Sequence, residues 1–225
     1  MKKTTLILFT IFAISLMAVD HTQTAEGPFE DYQKNPNFET FQAANADFEK
    51  TIKADPNDEF SRMMRSYLLS MELDRSLEYF QANIDSLENG TKFQYANLLL
   101  GMNKFDEAIK IYDSITAAIP KWACPWRHKG EALMKIDKWE EAEIATQKSI
   151  DVRPDHYDAL VQLAVIQKHL DKKEAALKSI EKAISLMDQN DEEEISDKSV
   201  YQVYIDVLLL NNMEDKAKEI EKKIQ

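Results

Sequence analysis

Apolar and small residues recur along this chain on two scales. Locally they stand three and four apart, as one stripe of a helix does. In PWRHKGEALMKI (125–136), Trp126, Gly130, Leu133 and Ile136 share a face, and Leu160, Leu163, Ala164 and Leu170 do so downstream. On the longer scale, GMNKFDEAIKIY (101–112), KIDKWEEAEIAT (135–146) and HLDKKEAALKSI (169–180) repeat one pattern at intervals of 34. A small residue anchors each unit: Ala44, Ser76, Ala108, Ala142, Ala176 and Ala217, at steps of 32, 32, 34, 34 and 41. Four residues on stands a larger side chain (Phe48, Phe80, Tyr112, Thr146, Ile180), and twelve on stands Pro56, Pro120 or Pro154.

Such a fixed period predicts stacked supersecondary units. Each unit reads as two helices joined by a short polar turn such as Ile136-Asp137-Lys138-Trp139. Small residues at the anchors, and Ala96, Gly130 or Ala164 on the first helices, let the paired backbones approach. Proline ends the second helix because it lacks an N–H and clashes with the preceding turn.

This pattern resembles the tetratricopeptide repeat. Trp126, Gly130, Leu133, Ala142 and Pro154 fall on that family's signature positions in one unit, and Tyr95, Ala96, Leu99, Ala108, Tyr112 and Pro120 in the unit before. Lys129 and Thr146 depart from it, since the family prefers Leu and an aromatic there. The resemblance implies an all-α fold, a right-handed superhelical solenoid of antiparallel helix pairs. We expect a partial unit over 38–56 and units starting near 57, 89, 123, 157 and 198.

Two segments stand outside the period. Asn35-Pro36-Asn37 breaks any helix starting at Phe29, so 26–37 is expected to be a loose, flexible lead-in. DQNDEEEISD (188–197) is expected to be a solvated acidic loop, because it lacks the Gly and closing Glu of a calcium-binding loop. At the start, MKK, the apolar core Leu6 to Val19 and polar DHTQTAEGP read as a signal peptide over 1–25. The run falls short of the roughly 20 residues that span a bilayer. The expected destination is the periplasm or the extracellular space, with no membrane span after cleavage. A lone Cys124 excludes an intramolecular disulfide.

Composition narrows the function. Four glycines cannot supply a phosphate-cradling loop, and 40 acidic against 28 basic residues give a net charge of −12. Nucleic acid is therefore not the expected partner, because phosphate neutralisation needs a clustered basic surface. The histidines are scattered, and Cys124 with His128 lacks a third ligand. No catalytic, metal or cofactor site is expected, and the chain does not read as an enzyme.

What remains is surface. In a solenoid of hairpins the first helices line a concave groove. By the resemblance, groove positions include Arg62, Arg65, Phe93, Asn97, Arg127, His128, Lys135, Val161, Val165 and Lys168. Basic groups there would attract an acidic segment or a C-terminal carboxylate. The competing reading is that they pair with neighbours such as Glu131 and Asp158. VYQVYIDVLLL (200–210) is apolar nearly all round, so self-association through 200–225 is a further expectation. The leading role is an exported scaffold for a protein or peptide partner. The alternatives are a structural or assembly subunit of an envelope complex, and a ligand- or glycan-binding module.

Overall fold

A computed structural model describes residues 27–187 and 198–224. The signal-peptide expectation for 1–25 and the acidic stretch 188–197 lie outside the described residues. Among the described residues the regular structure is all helical. Contacts divide the chain between Asn83 and Ile84 into two compact units.

The second unit begins with a single 3₁₀ turn, Ile84–Ser86. Four hairpins follow: α4 (Asn89–Gly101) with α5 (Phe105–Ala118), α6 (Ala123–Met134) with α7 (Trp139–Val152), α8 (Tyr157–His169) with α9 (Lys173–Met187), and α10 (Lys198–Leu210) with α11 (Glu214–Ile224). Each helix packs on the next, and the first helices α4, α6, α8 and α10 also touch in succession.

All four hairpins turn in the same way. The residue five before each anchor, Asn103, Asp137, Asp171 or Asn212, sits at a φ of 55–59°. Asn and Asp visit this left-handed region at lower cost than other side-chain-bearing residues. The next amide reaches back to the first helix, from Lys104 to Leu99 O, Lys138 to Leu133 O, Lys172 to Gln167 O and Met213 to Leu208 O, at 2.9–3.0 Å. The left-handed residue's own amide bonds the carbonyl three residues back. This is the Schellman motif, which satisfies carbonyls orphaned at a helix end. Prolines close the other end: Ile119 and Arg153, each before a Pro, leave the helical region at φ −132° and −136°.

The anchors Ala108, Ala142, Ala176 and Ala217 are buried. A Cβ added to Gly130 would run into Thr146 Oγ1, lie 2.6 Å from Gln162 Nε2 and press on the Ala142 carbonyl at 3.3 Å. Gly130 and Thr146 are both small for their positions, and Gln162 of the following hairpin fills the space between them. Its amide donates to Thr146 Oγ1 at 2.9 Å and to Arg127 O at 3.0 Å. Thr146, the departure from the family pattern, is thus half of a polar clasp across two hairpins. The core of the last two hairpins is a buried cluster that includes Leu160, Leu163, Ile180, Tyr204 and Leu208.

The first unit corrects two expectations. Its helices are α1 (Pro28–Lys34), α2 (Phe38–Ala54) and α3 (Glu59–Asn83). The segment expected as a loose lead-in holds a helix instead, started by Pro28 and tied down by aromatic packing. Tyr32 is buried with Ala44 and Leu68, and Phe29, Phe41, Phe48 and Met71 pack around them. The Tyr32 hydroxyl donates to Glu72 Oε2 at 2.8 Å. Burial, followed by this carboxylate, pushes the phenol up to about 12. Asn35-Pro36-Asn37 does break the helix, and Asn37 then caps α2 by accepting from Glu39 N and Thr40 N.

The second correction is the unit expected as a hairpin from about 57. It is one continuous 25-residue helix, α3. Five residues before its anchor Ser76 stands Met71, where every hairpin has Asn or Asp. An unbranched Met favours the helix and pays to enter the left-handed region. Met64 takes the place of Ala96, Gly130 and Ala164, but Ile205 stands there in the fourth hairpin, which closes all the same, so the turn residue is the difference that all four hairpins share.

Candidate functional site

The expected groove residues fall into both units. Arg62 and Arg65 lie on α3 in the first. Arg62 donates through Nε and Nη2 to Pro56 O at 2.9 and 2.6 Å, tying down the link after α2. Arg65 donates to Asn45 Oδ1 at 2.9 Å and pairs with Glu49. Both arginines therefore hold local structure.

The remaining residues line the first-helix face of the second unit, in two zones. The zone toward α4 is closed by packing. Phe93 meets the Trp122 ring at 4.9 Å and the His128 ring at 5.4 Å. Asn97 Oδ1 accepts from the Tyr112 hydroxyl at 2.7 Å. Burial and then the Glu131 carboxylate raise the Tyr112 phenol far above its ordinary value. Arg127 Nη2 stands 2.9 Å from His128 Nε2, while His128 Nδ1 and Arg127 Nη1 stand 3.3 and 3.9 Å from Glu131 Oε2. The His128 contact, with Arg127 and Lys135 nearby, holds the Glu131 carboxyl below the usual carboxylate range in spite of burial.

The other zone is open. A pocket of about 540 Å³ lies between α6, α8 and α10. Arg127, Glu131, Met134 and Lys135 of α6 and its C-terminal cap form one wall, Asp158, Val161 and Gln162 of α8 the next, and Ser199 and Val200 of α10 the third, with Trp139 at the edge. Trp139 stacks on His169 with ring centroids 3.7 Å apart. Val165 lies half-buried one turn beyond Val161. Lys168 is drawn away from the pocket by Asp206, 2.7 Å from its Nζ. Lys135 is exposed, makes no ion pair among the described residues, and acts at longer range on Glu131.

Of the groove residues expected from the resemblance, Arg127, Lys135 and Val161 line this pocket. That set missed Trp139, which begins the second helix of its hairpin and reaches the face only because the Schellman turn is so short. It also missed Met134 and Val200, whose apolar character fits core as well as surface. Among the described residues no group of three or more His, Cys, Asp or Glu is placed to hold a metal ion. None of the described helices is long and apolar enough to cross a membrane.

Comparison with known proteins agrees with this architecture. The family model of the coatomer epsilon subunit matches residues 85–202. A crystal structure of MamA is 17% identical and superposes with a TM-score of 0.54, covering 87% of this chain and 91% of that one. A MamA structure from Desulfovibrio magneticus RS-1, also 17% identical, covers 80% and 93% at a TM-score of 0.58. At such identities the likeness is one of fold. Sperm-associated antigen 1 of Mus musculus is 25% identical over 87 residues, 39% of this chain and 10% of that one. The chain thus spans about a tenth of the length of the curated relative it matches.

Proposed function

Because the chain belongs to the coatomer epsilon subunit family and its hairpins are tetratricopeptide-like, we propose that it is a non-catalytic scaffold. It holds a protein segment on the first-helix face of its second unit. The observation that carries this reading is the open pocket built by three successive first helices.

The charges around the pocket refine the expected ligand. Arg127 and Lys168 are each compensated by an acid of the same face, so neither needs a ligand to satisfy its charge. Lys135 is left to attract an acidic group, while Met134, Trp139 and Val161 offer contact to an apolar side chain. The partner segment accordingly presents one acid beside an apolar residue. A terminal carboxylate is one way to supply that acid.

Site-specific photo-crosslinking tests the assignment. A photoreactive residue at Val161 or Lys135 should trap the partner in cells. The same residue at Ile144, exposed on the second helix α7, should not. Adducts confined to position 144 would move the interaction to the outer face and sink the proposal.

The basic start and apolar run of residues 1–25 support placing this scaffold outside the cytoplasm. N-terminal sequencing of the chain from its own cells tests that placement. A sequence beginning between residues 19 and 26 supports export, and an intact Met1 rejects it.

A further inference from the structure

The pocket between α6, α8 and α10 carries four charged side chains, Arg127, Glu131, Lys135 and Asp158. Two of them cancel within the protein. Arg127 Nη1 lies 3.9 Å from Glu131 Oε2, and His128 Nδ1 closes on the same oxygen at 3.3 Å. The other two are left over. Lys135 makes no ion pair among the described residues, and the ion-pair neighbour of Asp158 is His156, 3.6 Å away. Burial, followed by Arg153, keeps that imidazole below its ordinary value, so at neutral pH it brings no positive charge to Asp158. The Asp158 side chain is 50% exposed and open to a ligand.

These two uncompensated charges stand at opposite ends of the pocket. Trp139, the first residue of α7, stacks on His169, the last of α8. The C-terminal ends of α6 and α8 therefore lie side by side, and Lys135, the cap of α6, belongs to that end. Asp158 is the second residue of α8, at the other end of the same helix. From residue 158 to residue 169 a helix rises about 16 Å. Val161 and Met134 line the stretch between the two charges. An extended chain rises about 3.3 Å per residue, so about five residues bridge that distance. A segment carrying acids alone would be drawn to Lys135 and repelled by Asp158. A segment with charges of both signs complements both ends.

On the reading of this pocket as a docking site, we propose that its occupant is an extended segment of mixed charge. Its acid meets Lys135, a lysine or arginine about five residues away meets Asp158, and an apolar side chain lies between them. Asp158 is then the residue that rejects wholly acidic partners, and the two ends together fix the direction in which the segment lies.

A phage-displayed library of random dodecapeptides, selected on the immobilised full chain, provides the test. Peptides enriched on the native chain should carry an acid and a lysine or arginine about four to six residues apart. Selection on Asp158→Asn should lose the basic position and keep the acid, and selection on Lys135→Gln should do the reverse. Each variant is checked for native helical circular dichroism. Enriched peptides with acids and no base, or with the two charges at the roughly eleven-residue spacing of a helix, would overturn the inference and leave the docking site standing. Failure of the native chain to enrich any peptide over a Val161→Arg chain would remove the docking site and the inference with it.

Calorimetry with one enriched peptide gives a reading that a structural role of Asp158 would not move. Asp158→Lys should weaken binding at least about tenfold, because like charges then face each other. Changing the peptide's base to Glu should restore most of that loss. A gain in affinity from Asp158→Lys, or a loss that the changed peptide does not rescue, would overturn the assignment of Asp158.

Discussion

α3 and the α8–α9 hairpin are built on the same repeat, yet one is a rod and the other a closed pair. Leu163 of α8 and Met63 of α3 occupy the same repeat position. Leu163 is 4% exposed because α9 folds back over it, whereas Met63 is 40% exposed. The anchors differ likewise: Ala176 is buried and Ser76 half-buried. The stripes of apolar residues are similar, so hydrophobic pattern does not separate the two outcomes. The turn does, with Asp171 against Met71, whereas the close-approach position does not, since the fourth hairpin closes with Ile205 there.

The largest expected contrast follows from burial. Leu163→Ala removes a side chain enclosed by two hairpins and should cost about 2–4 kcal/mol. Met63→Ala, with much of its side chain in water, should cost under about 1 kcal/mol. Urea midpoints of the two variants measure both. Equal losses would mean that the repeat position, and not the folded-back helix, sets the energetics.

Next in size is the close approach itself. Gly130→Ala drives a methyl into Thr146 and Gln162 and should cost about 1–3 kcal/mol, the range for overpacking. Gly130→Ala combined with Thr146→Ser does not relieve the strain, because the hydroxyl remains. Gly130→Ala with Gln162→Ala should recover part of the loss, since the side chain that filled the gap is gone. A double-mutant cycle in urea reads this coupling, and additivity would show that the two sites do not compete for space.

The turn comes third. Asp171→Met forces a side chain without a local hydrogen bond to remain at φ 55° and should cost about 1–2 kcal/mol. Asp171→Gly should stay within about 0.5 kcal/mol of the native chain, because glycine has no Cβ penalty there. If Met were tolerated as well as Gly at 171, the reason offered for the unbroken α3 would fail.

These cases mark how far the sequence could be read. The hairpins were legible because anchor, turn and proline lie within one short window and act locally. What escaped was long-range or depended on something missing. The Tyr32–Glu72 bond joins residues 40 apart, so a segment that looked like a loose lead-in is a docked helix. Met71 is an ordinary apolar residue until it is set against its counterparts, where Asn or Asp stands. At the candidate site, Arg127, Lys135 and Val161, expected in the groove from the resemblance, line the pocket. The resemblance did not reveal how tightly Arg127 would be held by His128 and Glu131, or that Trp139 closes the pocket edge.

The smallest effect concerns how the compared helices begin. α3 follows Asp58, whose carboxylate accepts from Ser61 N at 3.0 Å and from the Ser61 hydroxyl at 2.8 Å. Those bonds hold the Asp58 pKa below its ordinary value. α8 follows His156 at the equivalent place after its proline. Burial, followed by Arg153, holds that imidazole below its ordinary value too, and its Nδ1 is buried without a partner. Both folded-state values are depressed, so each group's contribution is fully present above its unfolded pKa and is lost as pH falls through the folded one. The windows differ, however. For His156 the loss begins near pH 6.5, and for Asp58 only near pH 4. Urea midpoints should therefore decline slightly between pH 7 and 5.5, and His156→Asn should flatten that slope while leaving the decline below pH 4. Asp58→Asn should do the reverse, since asparagine still caps the helix without titrating. A slope between pH 7 and 5.5 that persists in His156→Asn would assign the neutral-range titration to one of the other histidines.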